Sequence, residues 1–263
     1  MKTSTSWGHV ADWYHDLLAS GAGTYQQDVI LPNILRRLGE IKGKTILDLA
    51  CGSGFFTRAF YRAGALVVAV DLSSELVKLG QEISRREKSS RGSVTWHVAS
   101  ADKIPMVKDR SMDTVTIILA IQNMENALGV FRECARVLKP GGRLLIVMNH
   151  PAFRVPQQSD WGWDEKKTAQ YRRVDEYLSE SKVKIDMHPG EKKRQHTISF
   201  HRPLQVYFKH LAKVGFAVTR LEEWISNRPG PKGKRFAASE KARHEIPLFL
   251  FLEGNLIGRA RRI

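Results

Sequence analysis

The sequence predicts an α/β fold. From Thr45 onward, apolar runs of strand length alternate with helix-length segments, the runs are continuously apolar, and a glycine turn follows directly on the first of them. Strands joined through helices must run parallel, and a parallel sheet is covered on both faces, so its strands need no polar side.

In chain order, residues 45–50 (TILDLA) read as a strand, 55–62 as a helix, 66–71 (LVVAVD) as a strand, 75–86 as a helix and 93–99 as a strand. A strand at 112–120, a helix at 129–138 and a strand at 143–149 complete the regular part. Ahead of it, residues 7–38 form a helical region with Trp7, Trp13, Tyr14, Leu17 and Leu18 near helical spacing, broken at residues 20–23 and resumed after Thr24. Residues 1–40 thus read as an N-terminal helical cap.

After Pro151 the rhythm stops. Residues 151–200 are polar and rich in Gln, Lys, Trp and Tyr, and one helix is expected around 168–180. A segment of that length is more than a connection, and it reads as an insertion that covers a substrate within a single domain spanning residues 1–263. Pro203 then starts a helix with Leu204, Tyr207, Phe208 and Leu211 on one face, Gly215 stops it, and a strand follows. A basic Gly/Pro loop at 226–235 leads to a last strand at 246–254.

Hydrophobic residues make up 42% of the 263, enough for an ordinary core. The net charge of +15 is uneven: residues 1–150 hold 19 Lys+Arg against 14 Asp+Glu, residues 151–263 hold 23 against 13. Such an excess attracts acidic or phosphate-bearing partners, so an anionic small molecule fits, and nucleic acid is possible. No basic run interleaves with aromatics as in single-strand binding platforms, which makes nucleic acid the less favoured partner. Cys51 and Cys134 lack the Cys/His spacing of a zinc site, and neither a metal nor a disulfide is expected. With no charged and apolar leader, and with an apolar run at 246–252 too short to span a bilayer, the expected location is the cytoplasm. The oligomeric state has no signature.

The stretch ILDLACGSGFF, residues 46–56, carries the chemistry. It ends a strand and opens a helix, where a parallel sheet binds ligands against a glycine turn and free helix amides. Gly52 and Gly54 begin a dinucleotide fingerprint, but Thr57 stands where the third small residue belongs. Asp48 would repel a pyrophosphate and suits a ligand with a positive group. Asp71, 19 residues after Gly52, ends the next strand, where a carboxylate can accept from both hydroxyls of a ribose. Together they describe a nucleoside joined to an amino acid without phosphate between them. Alone, Asp48 or Asp71 also reads as a helix-capping carboxylate.

Residues 40–150 resemble the class I S-adenosylmethionine-dependent methyltransferases, in particular the small-molecule branch that includes quinone methyltransferases. The resemblance rests on Asp48 through Gly54, on Asp71, on SADKIP at 100–105, on Met112 and Asp113, and on RVLKPGGRLLIV at 136–147. It implies a Rossmann-like, mostly parallel seven-stranded sheet with helices on both faces. It also implies S-adenosyl-L-methionine as cofactor, S-adenosyl-L-homocysteine as product, and no metal. By position, Asp48, Ala50, Cys51, Gly52 and Gly54 resemble the turn beside the methionine part and ribose, and Asp71 with Leu72 the ribose ligands. Ser100, Ala101 and Asp102 resemble the residues beside adenine, and Ile118 and Leu119 the strand end near the sulfonium. Ala50 replaces the first glycine of the motif, and Ser100 stands where Asp or Asn is usual, with Asp102 close enough to substitute.

Transfer from a sulfonium is an in-line displacement with a good leaving group, so a base is optional. His150, His196 and His201 are candidate bases, each also readable as a surface or packing residue. Trp161 and Trp163 are candidates for an aromatic wall over a flat substrate, with Gln122 after the fourth strand beside them. The signatures of exocyclic-amine and carbon-5 nucleic-acid methylation are missing. The expected function is methyl transfer to an O, N or C atom of a small metabolite. The alternatives are an RNA methyltransferase using the basic C-terminal part and a non-catalytic S-adenosylmethionine binder.

Overall fold

The computed structural model describes residues 23–87, 92–186, 196–230 and 232–258; Trp7, Trp13, Tyr14, Leu17 and Leu18 lie outside them. Its centre is a seven-stranded sheet in the order β10, β11, β5, β4, β1, β2, β3. Strands β1 (Thr45–Leu49), β2 (Leu66–Asp71), β3 (Ser93–Val98), β4 (Met112–Ile118) and β5 (Leu138–Asn149) run parallel. β10 (Phe216–Trp224) and β11 (Phe249–Leu256) extend it, with β11 antiparallel to both neighbours. The chain moves outward from β1 to β3 and then crosses back to place β4 on the other side of β1. That reversal opens a crevice at the carboxyl ends of β1 and β4.

Burial of both faces follows from the alternation along each strand. Ile46, Leu145 and Phe251 belong to one core cluster with Ile30, Ile34 and Phe60, whereas their neighbours Leu47, Leu144 and Leu250 belong to another with Phe131, Tyr207 and Leu211. The first cluster lies under α1 (Leu31–Leu38) and α2 (Phe55–Arg62), the second under α4 (Ala127–Val137) and α5 (Leu204–Lys213). Between them in sequence, α3 (Ser74–Arg86) is capped by the Ser73 hydroxyl, which accepts from the Leu76 amide at 3.2 Å. The helix at 55–62 and the strand at 66–71 keep the bounds that the sequence predicts.

The segment after β5 differs from expectation. No helix occupies 168–180. The chain builds two antiparallel hairpins, β6 (Ser159–Asp164) with β7 (Ala169–Val174) and β8 (Ser181–Asp186) with β9 (His196–His201). Local turn chemistry decides this: Asp164 Oδ1 accepts from the amides of Lys166 and Lys167, both at 3.0 Å, and Thr168 takes φ 48°. Across the first hairpin Tyr171 pairs with Gly162, and its ring fills the space where a Cβ at Gly162 would meet it at 2.3 Å. A further helix, α6 (Phe236–Glu245), follows the basic loop where none is expected. Among the described residues no helix is long and apolar enough to cross a membrane. Among them, too, no cluster of three or more His, Cys, Asp or Glu side chains could hold a metal ion.

Candidate active site

A cavity of about 450 Å³ opens at the carboxyl ends of β1 to β4, a size in the range of small-molecule sites. Its floor is the turn after β1. Ala50, Gly52 and Gly54 have φ of 59°, 57° and 81°, so the chain reverses twice within five residues. The alanine pays for that conformation in strain, of the kind that gathers at ligand sites.

Asp48 lies beneath this turn, 2% exposed. Thr57, the residue standing where a dinucleotide fingerprint has its third small residue, donates its hydroxyl to Asp48 Oδ2 at 2.5 Å, and Thr116 of β4 donates to Oδ1 at 3.0 Å. Burial pushes the Asp48 carboxyl up to about 6 despite both hydroxyls, and nearby Asp71 adds to the push. Thr57 and Thr116 are buried partners of Asp48 that were not singled out as such from the sequence; the signal for Thr57 was its place where a dinucleotide fingerprint has a small residue.

Asp71 ties the turn to the second strand. Its Oδ2 accepts from the Gly52 amide and its Oδ1 from the Ser73 amide, each at 2.8 Å. Burial raises its pKa while these amides lower it. Each oxygen keeps a lone pair, enough to accept from vicinal hydroxyls. At the end of β3, Ser100 donates to Asp102 Oδ1 at 2.5 Å and Asn126 donates to Oδ2 at 2.8 Å, which clips this loop to the start of α4. The hydrogen bond from Ser100 holds the Asp102 carboxyl below its usual range.

The cavity lining includes Asp48, Ala50, Cys51, Gly52, Asp71 and Leu72, then Ser100, Ala101 and Asp102, and Ile118 and Leu119. Gly54 is outside the lining, and its space is taken by Trp96. Phe55, Phe56, Asn123, Met124 and Glu125 join the lining without having been singled out from sequence. Burial, with the carboxylates of Asp71 and Asp48, pushes the Cys51 thiol well up, so it stands in the wall as a neutral group.

The acceptor-side candidates lie elsewhere. His150 is buried with Nε2 2.8 Å from Glu223 Oε1, while its Nδ1 accepts from the Ala152 amide at 3.2 Å. His201 is buried against the Tyr177 carbonyl at 2.8 Å, and His196 is exposed at the start of β9. Trp161 and Trp163 sit on β6 under the guanidinium groups of Arg172 and Arg235, at 5.3 and 4.4 Å. Gln122 donates to the Leu119 carbonyl at 2.8 Å. None of these six is in the cavity lining.

The residues present fit a nucleoside that bears an amino-acid ammonium. Asp48 and Asp71 flank the turn, and neither forms an ion pair with a basic side chain among the described residues. A diphosphate there would face two carboxylates; a cation would be attracted by both.

Residues 47–146, which hold most of β1, all of β2 to β4, most of β5 and the turn beneath this cavity, match the family described as "Methyltransferase domain". Over 117 residues the chain is 32% identical to the demethylmenaquinone methyltransferase of Tropheryma whipplei strain Twist, covering 44% of this chain and 46% of that one. Over 108 residues it is 34% identical to the ubiquinone biosynthesis O-methyltransferase of Xanthomonas euvesicatoria pv. vesicatoria strain 85-10, covering 41% and 44%. The chain thus spans less than half the length of these curated relatives. In fold it is similar to an S-adenosylmethionine-dependent methyltransferase from Mesorhizobium loti, with a TM-score of 0.68 and 24% identity over 89% of this chain and 98% of that one.

Proposed function

We propose that the chain transfers the methyl group of S-adenosylmethionine to a nucleophilic O, N or C atom of a small metabolite by in-line displacement. The observation that carries this reading is the pair of carboxylates, Asp48 and Asp71, set on either side of a glycine turn at the mouth of a crevice. The names of the relatives, which act in quinone biosynthesis, support a flat small-molecule acceptor.

When bound, S-adenosylmethionine supplies a methyl group on a sulfonium leaving group. Asp71 would accept from the ribose hydroxyls, Asp48 would balance the cationic end, and Ser100, Ala101 and Asp102 would flank the adenine. Phe55, Phe56, Leu119 and Met124 give the cavity apolar walls that exclude water, and exclusion of water with orientation is what such a displacement needs. The β8–β9 hairpin supports the reading of 151–200 as a cover: Lys182 Nζ donates to Glu125 Oε1 at 3.1 Å and Arg202 Nη2 to the Glu125 carbonyl at 2.6 Å, both at the cavity rim.

The test is a transfer assay with methyl-labelled donor against a cell extract fractionated into metabolites, lipids and RNA. Label in a small metabolite is the expected result. Label in RNA alone overturns the acceptor class, and cofactor binding without transfer to any fraction overturns catalysis.

A further inference from the structure

The loop after β4 continues from the strand end assigned to the methyl group and supplies much of the cavity wall: Leu119, Ala120, Asn123, Met124, Glu125 and Asn126 all line the cavity. Leu119 holds φ 54°, and a leucine keeps that left-handed backbone only where its surroundings over-determine it. Its amide donates to the Val147 carbonyl at 2.7 Å, its carbonyl accepts from Gln122 Nε2 at 2.8 Å, and a tight turn at Ile121–Asn123 follows. At the far end Asn126 is tied to Asp102, and it caps α4 by accepting from the Gly129 amide at 3.0 Å.

Between those ends the loop is held by the hairpin that covers it. Arg202, the residue after β9, is 6% exposed, and its Nη2 donates to the Glu125 carbonyl at 2.6 Å. The chain on either side of Arg202 is pinned to one residue: His201 Nε2 lies 2.8 Å from the Tyr177 carbonyl, and the Leu204 amide donates to the Tyr177 hydroxyl at 3.0 Å. The guanidinium sits 5.4 Å from the centre of the Phe200 ring, with Glu180 Oε2 3.8 Å from Nε. Two further contacts on the loop are weaker. Ser199 Oγ stands 3.5 Å from the Gln122 carbonyl, and Lys182 meets Glu125 Oε1 with a side chain 54% exposed, where an ion pair adds little. A charge-assisted bond from a buried guanidinium holds more firmly, because breaking it leaves the cation buried without that acceptor.

We infer that Arg202 is a positioning residue for methyl transfer: through the Glu125 carbonyl it fixes the loop after β4, and with it the wall of residues 119–125 against which the acceptor would lie. This rests on the methyltransferase reading for what the wall faces. Arg202 is itself outside the cavity lining, so it acts through the loop and not on a ligand. The seating of the cover and the shape of the wall are thereby one event, since the residue that ends the β8–β9 hairpin is the one that holds the wall. A small displacement of reacting groups is enough to slow an in-line transfer.

The experiment compares the full-length wild type with Arg202→Gln on three readouts. Hydrogen exchange is followed by mass spectrometry, with and without S-adenosylhomocysteine, in peptides over residues 119–126 and over β1 and β2. Transfer from saturating methyl-labelled S-adenosylmethionine is followed over a dilution series of the extract fraction that accepts label, which separates the plateau rate from the half-saturating dilution. S-adenosylhomocysteine affinity is measured by calorimetry. In Arg202→Gln, exchange in 119–126 is expected to speed about tenfold or more while β1 and β2 stay unchanged. The plateau rate is expected to fall about tenfold, with the S-adenosylhomocysteine dissociation constant moving less than about threefold. Unchanged exchange in 119–126, an unchanged plateau, or equal acceleration of exchange throughout the chain overturns the role. If Arg202→Gln does not fold, Arg202→Lys, which keeps a cation without the planar fork, is held to the same outcomes. A wild type that transfers label to no fraction overturns the methyltransferase reading, while the exchange comparison still decides whether Arg202 fixes the loop.

Discussion

The indole of Trp96 occupies the space that a side chain at Gly54 would require: a Cβ built at Gly54 falls 2.2 Å from Trp96 Cη2. A Cβ at Gly80 of α3 would meet the same atom at 2.5 Å, so one ring from β3 wedges between the ligand turn and a helix that need glycine for two reasons. Gly54 also holds φ 81°.

Gly54→Ala therefore combines a clash with a left-handed backbone. It is expected to lower stability by more than the roughly 1–2 kcal/mol of the backbone alone. Adding Trp96→Leu should recover the clash component and leave the backbone component. Urea denaturation of both variants checks this, and no recovery in the double variant would separate Trp96 from the turn.

Asp71→Ala removes the acceptor of the Gly52 and Ser73 amides. Calorimetry with S-adenosylhomocysteine should show a loss of about 1–3 kcal/mol in affinity. An unchanged dissociation constant with an intact fold would take Asp71 out of the cofactor site.

The Asp48 carboxyl is held at about 6, above its ordinary 3.8. An acid whose pKa is raised by folding stabilises the protein fully below the unfolded value, and that contribution is lost as pH rises through the folded value. A shift of about two units corresponds to about 3 kcal/mol, so Asp48→Asn should be more stable than the wild type at pH 7 by about 1–3 kcal/mol, with the gap closing below pH 4. The ionised form is the one that attracts a cation. S-adenosylhomocysteine affinity should accordingly rise about tenfold between pH 5 and pH 7 in the wild type and stay flat in Asp48→Asn.

Ala50→Gly should relieve strain at φ 59°. The gain of about 1–2 kcal/mol from the left-handed backbone exceeds the added entropy of an unfolded glycine, about 0.5–1 kcal/mol. A net rise of about 0.5–1 kcal/mol in unfolding free energy is expected, with S-adenosylhomocysteine binding retained; a drop would mean that the methyl group packs to greater effect than the backbone strains.

Far from the cavity, Lys139 Nζ donates to Asp113 Oδ1 at 2.7 Å, while Thr45 donates its amide and its hydroxyl to Asp113 Oδ2, both at 2.8 Å. Burial raises the Asp113 carboxyl, but these bonds outweigh it and hold the group at about 2. Its contribution is present above the unfolded value and lost as pH falls through 2. After solvent screening at this half-exposed pair, Asp113→Asn should cost about 1 kcal/mol at pH 7 and nothing near pH 2, read by thermal or urea melting.

The parallel strands and their helices were legible because burial on both faces leaves a continuous apolar run, and a glycine turn leaves its mark at Gly52 and Gly54. Asp48 and Asp71 could be picked out because their places at strand ends follow from the pattern itself. Hairpins in 151–200 could not be read as such: their strands are half exposed, their register depends on Tyr171 meeting Gly162, and the same polar residues are compatible with a helix.

What the sequence determined by itself is the order of elements, the class of fold and the carboxylate-flanked turn, all of which are set by neighbours within a few residues. Which groups face the ligand was decided only by tertiary structure. Thr116 reaches Asp48 across 68 positions, and the His150 ring is taken by Glu223 across 73, so residue type proposed a base that the packing ties down outside the cavity. Charge is visible along a chain, but whether a counter-charge stands beside it depends on which distant segments the fold places in contact, as where Arg143 meets Glu253 across 110 positions.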